Sequence, residues 1–394
     1  MNKKKEIVPK LRFPKYVNSE QWISTELSSL LDYERPDLYI VESDNYKNEG
    51  IPVLTANKSF ILGYTDEKNN IYSRVPAIIF DDFTTEKKYV DFPFKVKSSA
   101  IKILKPKGNN VLKFIFELMN TINFEAKEHK RYYISTYQKL FVCVPKDVKE
   151  QQKIADCLSS IDELINAESK KLKALEKYKK GLMQKLFPAE GKTLPEWRFP
   201  EFQGCGEWKS KSIEKACKMF SGGTPDTSKK EFYGGTIPFI RSAEINKSST
   251  ELFITEEGFK NSSAKMVKKG DILIALYGAN SGEVALSKID GAINQAILCL
   301  RHETNNVFVY HYFTHMKNWI ISKYIQGGQG NLSGQIIKSV NLYFPKAEEQ
   351  QKIADCLSEI DKIITEQSNK VEQLKKHKKG LMQGLFPSLE EVDV

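Results

Sequence analysis

The sequence predicts a mixed α/β chain built twice over: two globular domains, each followed by a long helix, with the two helices pairing as an intramolecular coiled coil. Three observations predict it. EQQKIADCLSSIDELINAESKKLKALEKYKKGLMQKLFP, from Glu150 to Pro188, recurs without gaps as EQQKIADCLSEIDKIITEQSNKVEQLKKHKKGLMQGLFP, from Glu349 to Pro387, with 26 of 39 positions identical. Apolar residues in both copies alternate at four-three spacing. The stretch before each copy carries short apolar runs that end in polar or glycine turns. Identity of that extent marks a duplicated unit, and a repeat has to be read before anything else.

The duplication extends upstream. PKLRFPKYVNSEQW (Pro9 to Trp22) parallels PEWRFPEFQGCGEW (Pro195 to Trp208), and GIPVL at Gly50 faces TIPFI at Thr236. The expected segmentation is a first domain over 1–148, a central helix over 149–188, a second domain over 189–347 and a C-terminal helix over 348–394. With 394 residues, two cores of ordinary size fit, at roughly 100–200 residues per domain.

Composition narrows the class. The chain is 40% hydrophobic and 11% aromatic, as folded proteins are. A net charge of +10 favours polyanionic partners. No apolar run approaches the ~20 residues of a membrane span, and MNKKKEIVPK has the charge of a signal peptide without the apolar stretch behind it. The six cysteines form no CxxC pair. They fit reduced thiols, hence a cytoplasmic protein, better than a disulfide framework or a zinc site.

In the first helix the seam runs through Ile154, Leu158, Ile161, Ile165, Leu172, Leu175, Leu182 and Leu186, interrupted at Glu168 and Lys179. In the second it runs through Ile353, Leu357, Ile360, Ile364, Val371, Leu374, Leu381 and Leu385, interrupted at Gln367 and Lys378. Such a narrow stripe on a charged helix needs a partner. Either the other copy supplies it, or each helix docks on its own domain. Asp147 with Glu150 predicts an N-terminal capping box, and Pro188 and Pro387 stop the helices. Gly181 and Gly380 read either as early caps or as points of close helix approach.

The globular stretches supply the other elements. VPAIIFDDF and KGDILIALYG read as buried strands, and NNVLKFIFELMNTI and NNVFVYHYFTHMKNWIISKYI as helices closing each domain. Between them lie loops of Gly, Ser, Thr, Asn and Lys, groups able to reach phosphates and base edges. Candidate DNA contacts are Lys58, Ser59, Thr84, Thr85 and Lys87 in the first domain. In the second they are Thr224, Arg241, Asn280, Ser281, Gln329 and Asn331.

Catalytic signatures are incomplete. Gly191-Lys192-Thr193 lacks the glycine that should open a phosphate-binding loop, since Leu186 stands there. No Pro-Pro pair exists for an amino-methyltransferase motif. His311 and His315 have metal spacing without the glutamate of HExxH, and Pro36-Asp37 with Asp66-Glu67-Lys68 matches a nuclease pattern only formally. The chain is expected to be no enzyme by itself and to hold no metal.

The repeated EQQKIADCLSxID…KKGLMQxLFP, the RFPEF…W lead-in, SGGTPDTSKKEFYGGTIPFIRSAEI and the closing QGNLSG…FPKAEEQQKIA resemble a type I restriction-modification specificity subunit. VPAIIFDDFTTEKKYVDFPFKVKSSAIKIL is similar to target-recognition domains of the same family. The resemblance implies two target-recognition domains held apart by two helices packed antiparallel in a pseudo-twofold repeat. It implies double-stranded DNA as ligand, each domain reading half of a split sequence, and no membrane. Two methyltransferase subunits would clamp the helices, motor-nuclease restriction subunits would join them, and S-adenosylmethionine would bind in the partner methyltransferase, with no cofactor in this chain. The first domain lacks the GGTP-type loop of the second, so the half-sites are expected to differ. About 40 helical residues at 1.5 Å each span roughly 60 Å, or near 17 base pairs, an upper bound on the separation of the domains.

Overall fold

The computed structural model describes residues 7–57, 59–278, 280–324 and 332–387. Lys58, Gln329 and Asn331 lie outside them. Two compact units result, one from the chain up to Ser169 together with the chain from Asn369, the other from Lys170–Ser368. Each unit therefore takes half of each long helix.

In the first unit, nine strands precede the long helix: β1 (Ile23–Glu26), β2 (Leu31–Glu34), β3 (Ile51–Leu54), β4 (Ile61–Thr65), β5 (Ala77–Asp81), β6 (Lys87–Val90), β7 (Lys95–Val96), β8 (Ile101–Pro106) and β9 (Phe141–Val144). Helix α1 (Leu112–Thr121) follows β8, and α2 runs over Val148–Leu186. One sheet has the order β2-β8-β5-β6, a second β4-β3-β7, and β1 pairs with β9. Every residue of β5 is buried, which is why AIIF, ahead of Asp81, is a continuous apolar run: both faces of this central strand are covered.

The second unit repeats this plan. Its strands are β10 (Lys209–Ser212), β11 (Cys217–Ser221), β12 (Tyr233–Ile240), β13 (Leu252–Ile254), β14 (Lys265–Val267), β15 (Ile272–Ala275), β16 (Val284–Leu286), β17 (Gly291–Ile293), β18 (Ile297–His302) and β19 (Asn341–Phe344). Its longer helices are α3 (Asn306–Tyr324) and α4 (Ala347–Leu385). The sheets are β11-β18-β15-β16 and β13-β12-β17-β14, and β10 pairs with β19. Apart from β14, an added edge strand beside β17 with no counterpart in the first unit, these match the first unit, down to the parallel pairing of β12 with β17 where β3 pairs with β7. The fold is thus mixed α/β, a duplicated domain with two long helices.

Both long helices have 39 residues. They run antiparallel: in the first unit Asp162 meets Lys378 at 2.7 Å while Glu168, further along α2, meets Lys370, earlier in α4. In the second unit the repeat-equivalent pair recurs as Lys179 and Asp361. Three of the four polar interruptions of the seam, Glu168, Lys179 and Lys378, are therefore paired across the helices. Ile154, Leu158, Ile353, Leu357 and Val371 are buried. Ile161, Ile165, Leu172, Leu175, Leu182, Ile360, Ile364, Leu374 and Leu381 are half-buried. Both sequence alternatives hold in part, because the helix ends also enter domain cores. Ile154 and Leu158 share a cluster with Trp22, Phe114, Leu385 and Phe386, while Leu186 and Phe187 share one with Trp208, Phe308, Ile353 and Leu357. Each fully buried leucine contributes roughly 1.5–3 kcal/mol.

Two local expectations need correction. Asp147 does cap α2, its carboxylate accepting from the Lys149 N–H at 2.8 Å, but Glu150 does not reach back to complete a box. Glu150 instead takes Arg12 in a two-pronged pair at 2.8 Å and the indole N–H of Trp22 at 3.3 Å. The second unit repeats the pair with Arg198 and Glu349, so the RFP lead-in clips each domain to its helix. Second, the helices run on past Gly181 and Gly380, and a Cβ there would meet nothing within 4 Å. These glycines neither cap nor admit a neighbour. Pro188 and Pro387 do stop the helices: α2 ends at Leu186 and α4 at Leu385, before Phe187 and Phe386, because the residue preceding a proline avoids the helical region.

Candidate nucleic-acid interface

Strand register decides which loops meet. In the first unit Asp81 at the end of β5 faces Ile101 at the start of β8, and Phe80 faces Lys87 at the start of β6. In the smaller sheet Leu54 pairs with both Ile61 and Val96. The described residues of loops 55–60, 82–86 and 97–100 therefore emerge at one end. Further contacts tie them together: Asp82 N–H to Ala100 O at 2.8 Å and Thr84 hydroxyl to Asn57 Oδ1 at 3.5 Å. Asp82, only 1% exposed, forms an ion pair with buried Lys102 at 3.3 Å and accepts from Tyr133 N–H. Its carbonyl accepts from Tyr132 N–H. This residue thereby brings the segment 128–133 to the hairpin, where His129 stacks on Phe83 at 4.7 Å and Arg131 lies over the same ring. The result is a basic and aromatic surface of Asn57, Phe83, Thr84, His129 and Arg131, groups suited to phosphates, sugars and base edges.

The equivalent end of the second unit is built alike. Ser221 ends β11 opposite Leu298, and Ala275 ends β15 opposite Ile297. The described residues of loops 222–225, 276–283 and 294–296 converge there. The glycines of SGGTP are required by close approach, since a Cβ on Gly222 would fall 1.7 Å from Ile293 O and one on Gly223 1.9 Å from Ser263 Oγ. Thr224 then donates its hydroxyl to Gln295 Oε1 at 2.7 Å.

The sequence-predicted contacts divide. Ser59 and Thr84 are exposed on the first unit's loop end. Thr85 is buried, with φ of 60° in the hairpin turn. Lys87 points at the Tyr137 ring at 5.9 Å, and burial lowers its pKa. In the second unit Thr224 is exposed, and Asn280 and Ser281 share the 276–283 loop, Ser281 donating to Leu276 O and accepting from Leu332 N–H. Arg241 is engaged internally by Glu244 at 3.0 Å and Glu251 at 2.6 Å, and its hydrogen bonds are the main cause holding the Glu244 pKa down at about 2. Sequence reasoning missed Asn57, Phe83, His129, Arg131 and Gln295. The run KEHKRYY, basic and aromatic together between α1 and β9, was the available signal for two of them.

The catalytic look-alikes have structural uses. His315 stacks on Phe187 at 5.7 Å, and His311 is buried beside Asp361. Glu67 pairs with Lys95 at 2.6 Å and accepts from the backbone of Glu42 and Ser43. No cluster of metal-ligating groups occurs among the described residues, and no helix among them is long and apolar enough to cross a membrane.

A duplicated α/β domain that gathers polar loops at one sheet end, mounted on paired, repeated helices, defines a bivalent recognition scaffold. The family described as type I restriction modification DNA specificity domain matches residues 19–177 and again 206–376, and the chain belongs to that family. It is 31% identical over 365 residues, 86% of each chain, to the EcoR124I/EcoR124II type I restriction enzyme specificity subunit of Escherichia coli. It is also 31% identical over 195 residues, 47% of this chain and 45% of the relative, to the MjaIX specificity subunit of Methanocaldococcus jannaschii. Its fold matches the crystal structure of a type I restriction-modification S subunit from M. genitalium with a TM-score of 0.68, at 17% identity, covering 97% of this chain and all of that one.

Proposed function

We propose that the chain is the DNA-recognition subunit of a type I restriction-modification complex, each domain reading one half of a split duplex target. The observation that carries this is the division of labour within the repeat. The two domains share a topology and present the same sheet end, yet their loop sequences are unrelated, whereas the helix repeats are identical at 26 of 39 positions. Unrelated loops suit different half-sites. The shared helix residues suit like partners.

Two methyltransferase subunits are the partners proposed for the helices, with motor-nuclease restriction subunits joining them. Support comes from positions that the seam does not need. Gln152, Lys153 and Asp156 are exposed and identical to exposed Gln351, Lys352 and Asp355. The internal bond from Gln152 to Asp156 recurs from Gln351 to Asp355, both at 2.7 Å. Leu164 and Ile363, also repeat-equivalent, are exposed apolar residues, as a docking face would have. S-adenosylmethionine and the transfer chemistry would belong to the methyltransferase, and this chain would contribute recognition alone. The test is reconstitution with the adenine methyltransferase that should be encoded beside it. Methylation at a bipartite sequence should require both proteins, and methylation or cleavage of DNA by the highly purified chain would refute the reading.

A further inference from the structure

We propose that Gln295 is a base-reading residue of the second domain, its side-chain amide recognising an adenine edge in the major groove. The inference rests on the DNA-reading function proposed above. Gln295 is exposed in the short loop between Ile293, the last residue of β17, and Ile297, the first of β18. Its own hydrogen bonds and those of its neighbours fix this loop. The Asn294 side chain accepts from Ala296 N–H at 3.1 Å, Ile297 N–H bonds Asn294 O, and Ala296 O accepts from Leu276 N–H at 2.8 Å. On the other side the SGGTP loop is packed down on Ile293 and Ser263 through its two glycines, which brings the Thr224 hydroxyl to Gln295 Oε1.

That contact occupies one lone pair of Oε1. The second lone pair and the two Nε2 hydrogens have no partner among the described residues, so an acceptor and a donor stand side by side at the loop end. This is the edge that pairs with the N6 donor and N7 acceptor of adenine. A polar group already held in its reading position loses little freedom on binding. Neighbouring groups at this end are differently used: Arg241 is committed to two carboxylates and Ser281 to backbone groups.

Gln295→Glu keeps the shape and the Thr224 contact but replaces the donor by a second acceptor. The carboxylate opposes adenine N7 and suits the N4 donor of cytosine. The experiment assembles the chain with its methyltransferase and reads methylation across a library of randomised duplex DNA. Wild type should require adenine at one position of one half-site. Gln295→Glu should disfavour adenine there by roughly 5- to 150-fold and shift the choice towards cytosine. Gln295→Ala should relax the same position, and every other position should stay as it was. Both variants should melt with the wild type, because the side chain is exposed. Unchanged base preference in both variants overturns the proposal. So does relaxation at a position where wild type does not select adenine, or loss of all methylation by an assembled Gln295→Ala complex. If the wild-type complex methylates no bipartite sequence at all, the DNA-reading function itself fails.

Discussion

Lys179 and Lys378 occupy equivalent positions of the repeat, yet replacing each by methionine should have unequal cost. Lys378 lies 2.7 Å from Asp162 and 3.1 Å from Glu117, a carboxylate on α1 whose side chain is fully buried. Among the described residues Glu117 is held only by ammonium groups at ion-pair distance, the other being Lys113 at 2.9 Å, and neither aligns as a hydrogen bond. Without Lys378, buried Glu117 is left to Lys113, which Asp162 shares at 3.3 Å. Removing one partner of a buried pair costs about 3–5 kcal/mol, and the remaining lysine places this case near about 3. Lys179 instead faces Asp361, which is 37% exposed, and the uncharged His311. Once freed, Asp361 rehydrates, so Lys179→Met should cost about 1 kcal/mol or less. Native-state hydrogen exchange suits a chain of two units, with amides of α1 and α3 reporting each separately. The expected gap is about 2 kcal/mol, and Glu117→Gln added to Lys378→Met should recover part of the loss by removing the stranded charge. Equal costs at the two lysines, or no recovery, would refute this account of the polar layers.

Acid should weaken the second unit through His311. Burial, with Lys179 adding to it, lowers the His311 pKa to about 3 from an ordinary value near 6.5. Between those values the unfolded chain binds a proton that the folded one does not. Stability should therefore fall as pH drops below 6.5, by up to about 1.4 kcal/mol per pH unit from this group, and urea titrations should show His311→Phe flattening the slope. At the first interface, Asp82→Ala should leave Lys102 buried and unpaired at a cost of about 3–5 kcal/mol. It should also raise exchange at the Tyr132 and Tyr133 amides, whereas unchanged protection there would disprove the keystone role of Asp82.

The helices were legible because the same phrase occurs twice and its seam is periodic. Strands β5 and β15 were legible because both faces are covered, leaving unbroken apolar runs. What escaped depends on distant partners. Glu150 satisfies a capping pattern locally, but Arg12, 138 residues away, claims it. Strand β7 is only two residues long, and Lys95 within it is buried against Glu67, so no apolar pattern announced it. Composition could propose Thr84 and Thr224, which lie on the converging loops. It could not separate Thr84 from Thr85, since a φ of 60° turns the latter inward. Nor could it find Gln295, which reaches the site through the register of β17 and β18.

The central claim is that each domain reads its own half-site while the helices set the distance between them. Its most direct test replaces residues 190–347 with the corresponding region of a relative and sequences the methylome of cells carrying the assembled complex. One half of the methylated sequence should change, the other half should persist, and the number of base pairs between them should stay the same. A swap that altered both halves together, or changed the spacing with the helices untouched, would contradict the account.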